Sequence, residues 1–193
     1  MCGGMSETIQ HVTSACRVLA STDYTHRHNQ MAKVIHQELA LRHELINTRV
    51  PYYTPESVLE NNGCRLCWDR SVLTDRTILG NGPKIILTIK DSKMTYLIDI
   101  TIPNTHNLQQ AYGEKLNKYL ELADEIKKMW RPDRVLMVPL VMCAAGVIPR
   151  RLPKNLKELG ISGGGVITMM QKAVLLGTCA TVRRFLNLPS TIQ

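Results

Sequence analysis

The chain has 193 residues, with 24 Lys and Arg against 16 Asp and Glu, a formal charge of +8. That length allows one ordinary domain with a sizeable core and at most a small appendage. A hydrophobic share of 44% excludes collagen-like, low-complexity and disordered classes, and 5% aromatic residues argue against a stacking platform rich in Phe or Trp.

Residues 1–21 read as a short lead rich in small residues. Thr22 and Asp23 are suitable N-caps for a helix running to about Leu45, with Met31, Val34, Ile35 and Leu39 on its buried face. Pro51 and Pro55 break that pattern, and residues 64–79 read as extended segments. The clearest local signal is KIILTI (84–89), a turn at Lys90-Asp91-Ser92-Lys93, and MTYLIDITI (94–102), an antiparallel hairpin rich in β-branched residues. After Pro103, one long helix is expected to about Trp130, with an apolar stripe of Leu108, Tyr112, Leu116, Tyr119, Ala123, Ile126 and Trp130. RVLMVPLVMCA (134–144) reads as a buried strand in which Pro139 argues for an edge or a bulge. A basic loop, a short helix near 153–159, a Gly163-Gly164-Gly165 break and a last helix over 166–186 complete the chain. The class is α/β or α+β: a mixed sheet with a central β-hairpin flanked by helices.

The positive excess is spread along the chain, which favours a polyanionic partner over a disordered basic arm. Lys127, Lys128, Arg150, Arg151, Lys154 and Lys157 are candidate phosphate contacts, together with Arg131, Arg134, Arg183 and Arg184. Six cysteines are too sparse for a disulfide scaffold and point to reduced thiols. No stretch of about 18 uninterrupted apolar residues occurs, and MCGGMSETIQ lacks a charged segment followed by an apolar core. The expected setting is nuclear or cytoplasmic, neither secreted nor membrane-spanning.

Asp99 stands out. Its neighbours Leu97, Ile98 and Ile100 predict burial, and a buried carboxylate costs several kcal/mol (about 2–7 even for an unpaired polar group) unless it meets a cation, a metal or donors. A hairpin turning symmetrically about Asp91 and Ser92 places Lys84 opposite Asp99, Ile86 opposite Leu97 and Thr88 opposite Thr95. Two readings follow: a cross-strand Lys84–Asp99 ion pair, or a carboxylate that holds a divalent metal beside a Lys of the next helix. Glu114 and Lys118, four apart on that helix, are the neighbouring candidates, and by themselves would form a solvated i,i+4 pair.

Several runs carry a family resemblance in order along nearly the whole chain. They are Cys2-Gly3…Glu7-Thr8…His11…Cys16, Tyr24…Arg27-His28…His36, Trp68-Asp69…Thr74-Asp75-Arg76, Leu97-Ile98-Asp99-Ile100…Pro103, Glu114-Lys115…Lys118-Tyr119 and Gln171-Lys172…Leu175-Leu176-Gly177-Thr178. Together the chain resembles the C-terminal region of non-LTR retrotransposon polyproteins, downstream of the polymerase. There a zinc knuckle precedes a restriction-like endonuclease domain of the PD-(D/E)xK type. The resemblance implies a zinc-knuckle remnant over 1–21 and a restriction-endonuclease-like domain over 22–193. It implies Zn²⁺ ligands Cys2, His11 and Cys16; a fourth, a further Cys before the first, is not in the sequence, so the zinc site is expected to be incomplete and weak. It also implies a Mg²⁺ or Mn²⁺ site with Asp99 as the second acid and Lys118 as the lysine. At the family's first acid, however, Pro83 is followed by Lys84, with fourteen residues between Lys84 and Asp99. Lys84 is thus a degenerate catalytic position, where an ammonium would occupy the metal's place.

The expected function is a fragment of a mobile-element polyprotein that binds DNA, works beside an upstream polymerase domain, and has weak or absent nuclease activity. The alternatives are an active metal-dependent endonuclease using Asp99, Glu114 and Lys118, and a protein-interaction module with no nucleic-acid role. Cys64-Arg65-Leu66-Cys67 has no second CxxC or suitably spaced His pair and reads as coincidence. Gly160…Gly163-Gly164-Gly165 lacks the Lys and Ser/Thr of a phosphate loop, so nucleotide binding is unsupported.

Overall fold

A computed structural model describes residues 8–186. From residue 8 the chain makes irregular helical turns to Tyr24, whose hydroxyl donates to the carbonyl of Val12 at 2.8 Å and accepts the Cys16 amide at 3.0 Å. Helix α1 follows over Thr25–Arg42. Strands β1 (Val58–Glu60) and β2 (Cys64–Trp68) lead through an irregular stretch to β3 (Ile85–Ile89) and β4 (Met94–Thr101). Helices α2 (Leu108–Lys118) and α3 (Leu120–Trp130) cross over to β5 (Arg134–Val141), and α4 (Arg151–Glu158) and α5 (Gly164–Phe185) close the described chain.

The five strands form one mixed sheet in the order β1-β2-β3-β4-β5. The first four run antiparallel to their neighbours, and β5 lies parallel to β4. A parallel neighbour cannot be reached by a tight turn, and α2 and α3 supply the crossover. The expected hairpin register is present, with Ile86 facing Leu97 and Thr88 facing Thr95. Alternation then sorts the side chains. Ile85, Leu87, Tyr96, Ile98, Val138 and Leu140 join the larger core with α1, α4 and α5, while Ile86 and Leu97 join a smaller one with Tyr119, Leu122, Ala123 and Ile126.

Three expectations are corrected in detail. The 64–79 extended region holds only β2, the rest being irregular. The helix expected from about residue 104 to Trp130 is broken at Tyr119, whose φ of −108° and ψ of 8° leave the helical region. Trp130, assigned to the buried stripe, is 46% exposed. Pro139 does lie in an edge strand, as its missing N–H requires, and its outward carbonyl accepts the Asn155 amide of α4 at 2.6 Å. Helix α4 thereby covers the open edge of the sheet.

Helices α1 and α5 approach closely at Gly177, where an added Cβ would lie 2.7 Å from Cγ of Arg27. Arg27 is fully buried; its guanidinium donates to Thr178 Oγ1 at 2.9 Å and sits 5.1 Å from the Tyr24 ring centroid. Helix α5 is also long and apolar enough to cross a membrane by length and composition, with a mean hydropathy of 1.4, but its Val166, Met170 and Val174 are buried in the larger core.

Gly177→Val should lower stability by about 1–3 kcal/mol, the usual cost of overpacking, read as a fall in melting temperature. A second prediction concerns His36, fully buried on α1, with Nδ1 2.8 Å from the Tyr53 hydroxyl. Burial pushes its pKa down to about 4. The native state therefore keeps His36 neutral where the unfolded chain, titrating near about 6.5, takes up a proton. Its contribution is complete above that pH and is lost as pH falls from 6.5 towards 4. His36→Gln should flatten this part of the stability–pH curve in denaturation measurements.

Candidate functional site

Asp99 lies on β4, the strand between β3 and β5, and is 5% exposed. Its side chain is on the sheet face covered by α2 and α3. Lys115 Nζ of α2 is 2.6 Å from Oδ2, and the Tyr119 hydroxyl donates to the same oxygen at 2.7 Å. Oδ1 accepts the Ile100 amide at 2.9 Å and faces His28 Nε2 at 3.8 Å, which itself lies 3.1 Å from the Ile100 carbonyl. Burial alone would raise the carboxyl pKa, but His28, the Lys115 ammonium and Tyr119 prevail and hold it far below the usual carboxylate range. Tyr119 is pushed up in turn, by burial and by the adjacent carboxylate.

The helix break is the local device that makes this possible. Lys115 and Tyr119 are four residues apart, so both fall on one side of the turn that faces the sheet. At Tyr119 the chain leaves the helix and restarts as α3, with the ring packed in the smaller core and the hydroxyl on Asp99.

Lys84 does not pair with Asp99, which corrects the cross-strand ion pair expected from the register. Its ammonium lies 3.0 Å from Asp69 Oδ2 and 4.5 Å from the Trp68 ring centroid. Asp69 follows the end of β2 with a φ of 52°, a left-handed conformation that Asp tolerates better than most residues, and its amide donates to the Lys84 carbonyl at 2.9 Å. The physical reason is saturation. Both oxygens of Asp99 are already engaged by groups from α1, α2 and its own strand, whereas Asp69 has no other ion-pair partner among the described residues.

Glu114 is also corrected: it is exposed, accepts the Gln110 amide at 2.8 Å, and forms neither the i,i+4 pair with Lys118 nor any contact with Asp99. Lys118 does reach the site, donating to the Tyr119 hydroxyl at 3.0 Å. His28, Asp69, Lys115 and Tyr119 were not singled out as site residues by sequence reasoning. The available signal was the spacing of Lys115 and Tyr119 on the stripe that faces the buried carboxylate.

These groups line one open cleft of about 500 Å³, in which Arg27, Lys84, Lys115 and Lys118 oppose only Asp69 and Asp99. The donor set does not fit a hard divalent cation. Each carboxylate already carries an ammonium, and no group of three His, Cys, Asp or Glu suited to a metal occurs among the described residues. The cleft thus holds two more cationic side chains than carboxylates.

For zinc, Cys2 lies outside the described residues, while His11 and Cys16 are buried in the turns before α1. Among the basic candidates, Lys128 is bound to Glu125 at 2.7 Å and Lys127 lies 3.9 Å from Asp124, both within α3. Arg150, Arg151, Lys154 and Lys157 are exposed at α4, with no ion pair among the described residues. No protein-family model matches the chain, and no curated protein matches it.

Asp99→Asn would keep the shape but leave Lys115 without its counter-charge. The expected loss at pH 7 is about 2 kcal/mol, below the usual cost of breaking a buried pair because Lys115 retains some access to water. Since the folded pKa is depressed, that contribution is present above the unfolded value of about 4 and fades below it. Denaturation midpoints of wild type and variant should therefore converge only as pH falls below about 4.

Proposed function

We propose that this chain is a DNA-binding domain with a restriction-endonuclease-like core, from the C-terminal region of a non-LTR retrotransposon polyprotein, in which the former metal cleft grips a backbone phosphate directly. The single observation that carries the reading is the cleft itself: four cationic side chains around two carboxylates that are each already neutralised by a lysine. A metal-dependent nuclease needs carboxylate oxygens free to hold its ion. Here Lys84 stands after Pro83 where the resemblance requires an acid, and its ammonium holds Asp69. The order of a helix, antiparallel strands, a crossover helix and a parallel strand agrees with such a core. The resemblance also supplies the upstream polymerase as the domain's working neighbour.

Direct phosphate binding has an electrostatic signature. With Lys118 and the α4 basic residues making about four phosphate contacts, affinity for DNA should fall roughly a hundredfold between 50 and 200 mM salt. Fluorescence anisotropy measures this, and a flat salt response would remove the claim. Affinity should not fall when EDTA replaces Mg²⁺, because in this reading Mg²⁺ only competes for the phosphates. Plasmid DNA should remain uncut with Mg²⁺ or Mn²⁺; cleavage that disappears in Asp99→Ala would instead establish the active-nuclease reading. Lys84→Asp removes the ammonium and restores an acid after Pro83, and is the variant in which metal-dependent nicking should first appear.

A further inference from the structure

We propose that the open groove over strands β1 and β2, beside the end of α3, docks an acidic amphipathic helix of a partner protein. The groove shares no lining residue with the cationic cleft, so the inference stands apart from the phosphate-binding reading.

The register sets its floor. Val58, Cys67, Ile86 and Leu97 are successive cross-strand partners from β1 to β4, and so form one apolar row on one face of the sheet. Exposure rises along that row, from Leu97 at 1% and Ile86 at 4% to a half-buried Cys67 and a Val58 at 43%. The cause is the helical layer. Leu122, Ala123 and Ile126 of α3 pack in one cluster with Leu97 and Ile86, and of the helices only α3, through Trp130, reaches the groove. The strip left over β1 and β2 is two strands across, about 10 Å, which is the width of one helix with its side chains. The groove has a volume of about 720 Å³. Its sides carry Leu73, 90% exposed, and the half-exposed Trp130, whose indole has no ring or cation partner among the described residues.

The rim sets the sign of the occupant. Arg65 and Lys90 share a single carboxylate, Glu60, at 2.9 and 2.7 Å, and Arg70 has no ion pair among the described residues. Three cations thus face one anion around an apolar floor. A helix with apolar residues at i, i+3, i+4 and i+7 fills the floor with one face and turns carboxylates to this rim. Trp and Arg are also the side chains that most often carry the binding energy of such contacts. Other occupants match less of the groove. A second copy brings a formal charge of +8 to a rim that is already positive. The chain's own terminal segments start beside α1 and α5, which pack on the opposite face of the sheet, with Arg184 of α5 paired to Asp23 before α1 at 2.6 Å. A nucleic-acid strand answers the rim but not the aliphatic floor, since its phosphates call for cations and its bases for aromatic faces, of which the groove has one.

The test uses three synthetic peptides of about four helical turns, which share a leucine stripe at helical spacing and carry Glu, Gln or Lys on the other face. Titrated against the full chain, the Glu peptide should bind roughly tenfold more tightly than the Lys peptide, with the Gln peptide between them. The peptides contain no Trp, so a blue shift of the protein's emission on binding reports its own indoles, and Trp130→Phe should abolish it while Trp68 remains. Leu73→Ser should weaken all three peptides about tenfold, whereas Arg70→Glu should weaken the Glu peptide and spare the Gln peptide. Both positions are exposed, and unchanged melting curves guard against a folding defect. Lys118→Ala, which bears on the cleft, should leave peptide binding as it was, so failure of the phosphate reading is scored separately. Equal affinity for the Glu and Lys peptides, or Glu-peptide binding that survives both Leu73→Ser and Arg70→Glu, overturns the proposal. An oligothymidylate that displaces the Glu peptide and depends on Trp130 overturns it in favour of nucleic acid, and a dimer that is lost in Leu73→Ser overturns it in favour of a second copy.

Discussion

A carboxylate buried in the middle of a sheet has to be compensated, and the burial of Asp99 organises the structure around that requirement. One oxygen receives an ammonium and a phenol from α2 and the residue that ends it; the other receives an amide of its own strand and faces an imidazole from α1. Satisfying it places α2 across the sheet, breaks the crossover helix at Tyr119, and brings His28 on α1 beside the Ile100 carbonyl. Because the interior is a poor solvent for charge, none of these groups is interchangeable with water.

The same saturation decides the electrostatics of the cleft. With Asp99 fully engaged, Lys84 turns to Asp69, and Asp69 accepts a left-handed backbone to meet it. The two carboxylates end as counter-ions within the protein, and the remaining cations set the sign of the site.

The edge strand adds a second consequence. Pro139 cannot donate to a neighbouring strand, so β5 ends the sheet, and α4 covers the edge by giving the Asn155 amide to the proline carbonyl. That placement carries Arg151 onto Tyr112 and forms a hollow beside the cleft. One residue without an N–H thus limits the sheet and positions a basic helix.

The amino-acid sequence by itself determined the hairpin, its register, the burial of Asp99 and the two terminal helices, and limited Pro139 to an edge or a bulge. Each depends on local chemistry: β-branched alternation over 84–102, a charged residue among Leu97, Ile98 and Ile100, a missing amide, and 3.6-residue periodicity. Tertiary structure alone decided which cation meets Asp99. Extending the register one pair beyond Ile85 and Ile98 would put Lys84 opposite it, but Lys115 and Tyr119 arrive from a helix that the strand pattern does not locate, and Glu114, one residue from Lys115, faces solvent instead. The break at Tyr119 was hidden for the same reason. Its apolar ring fits the helical stripe, while its hydroxyl answers to a carboxylate twenty residues earlier in the chain. Periodicity records which side chains are buried, and only the packed chain settles which buried charges find each other.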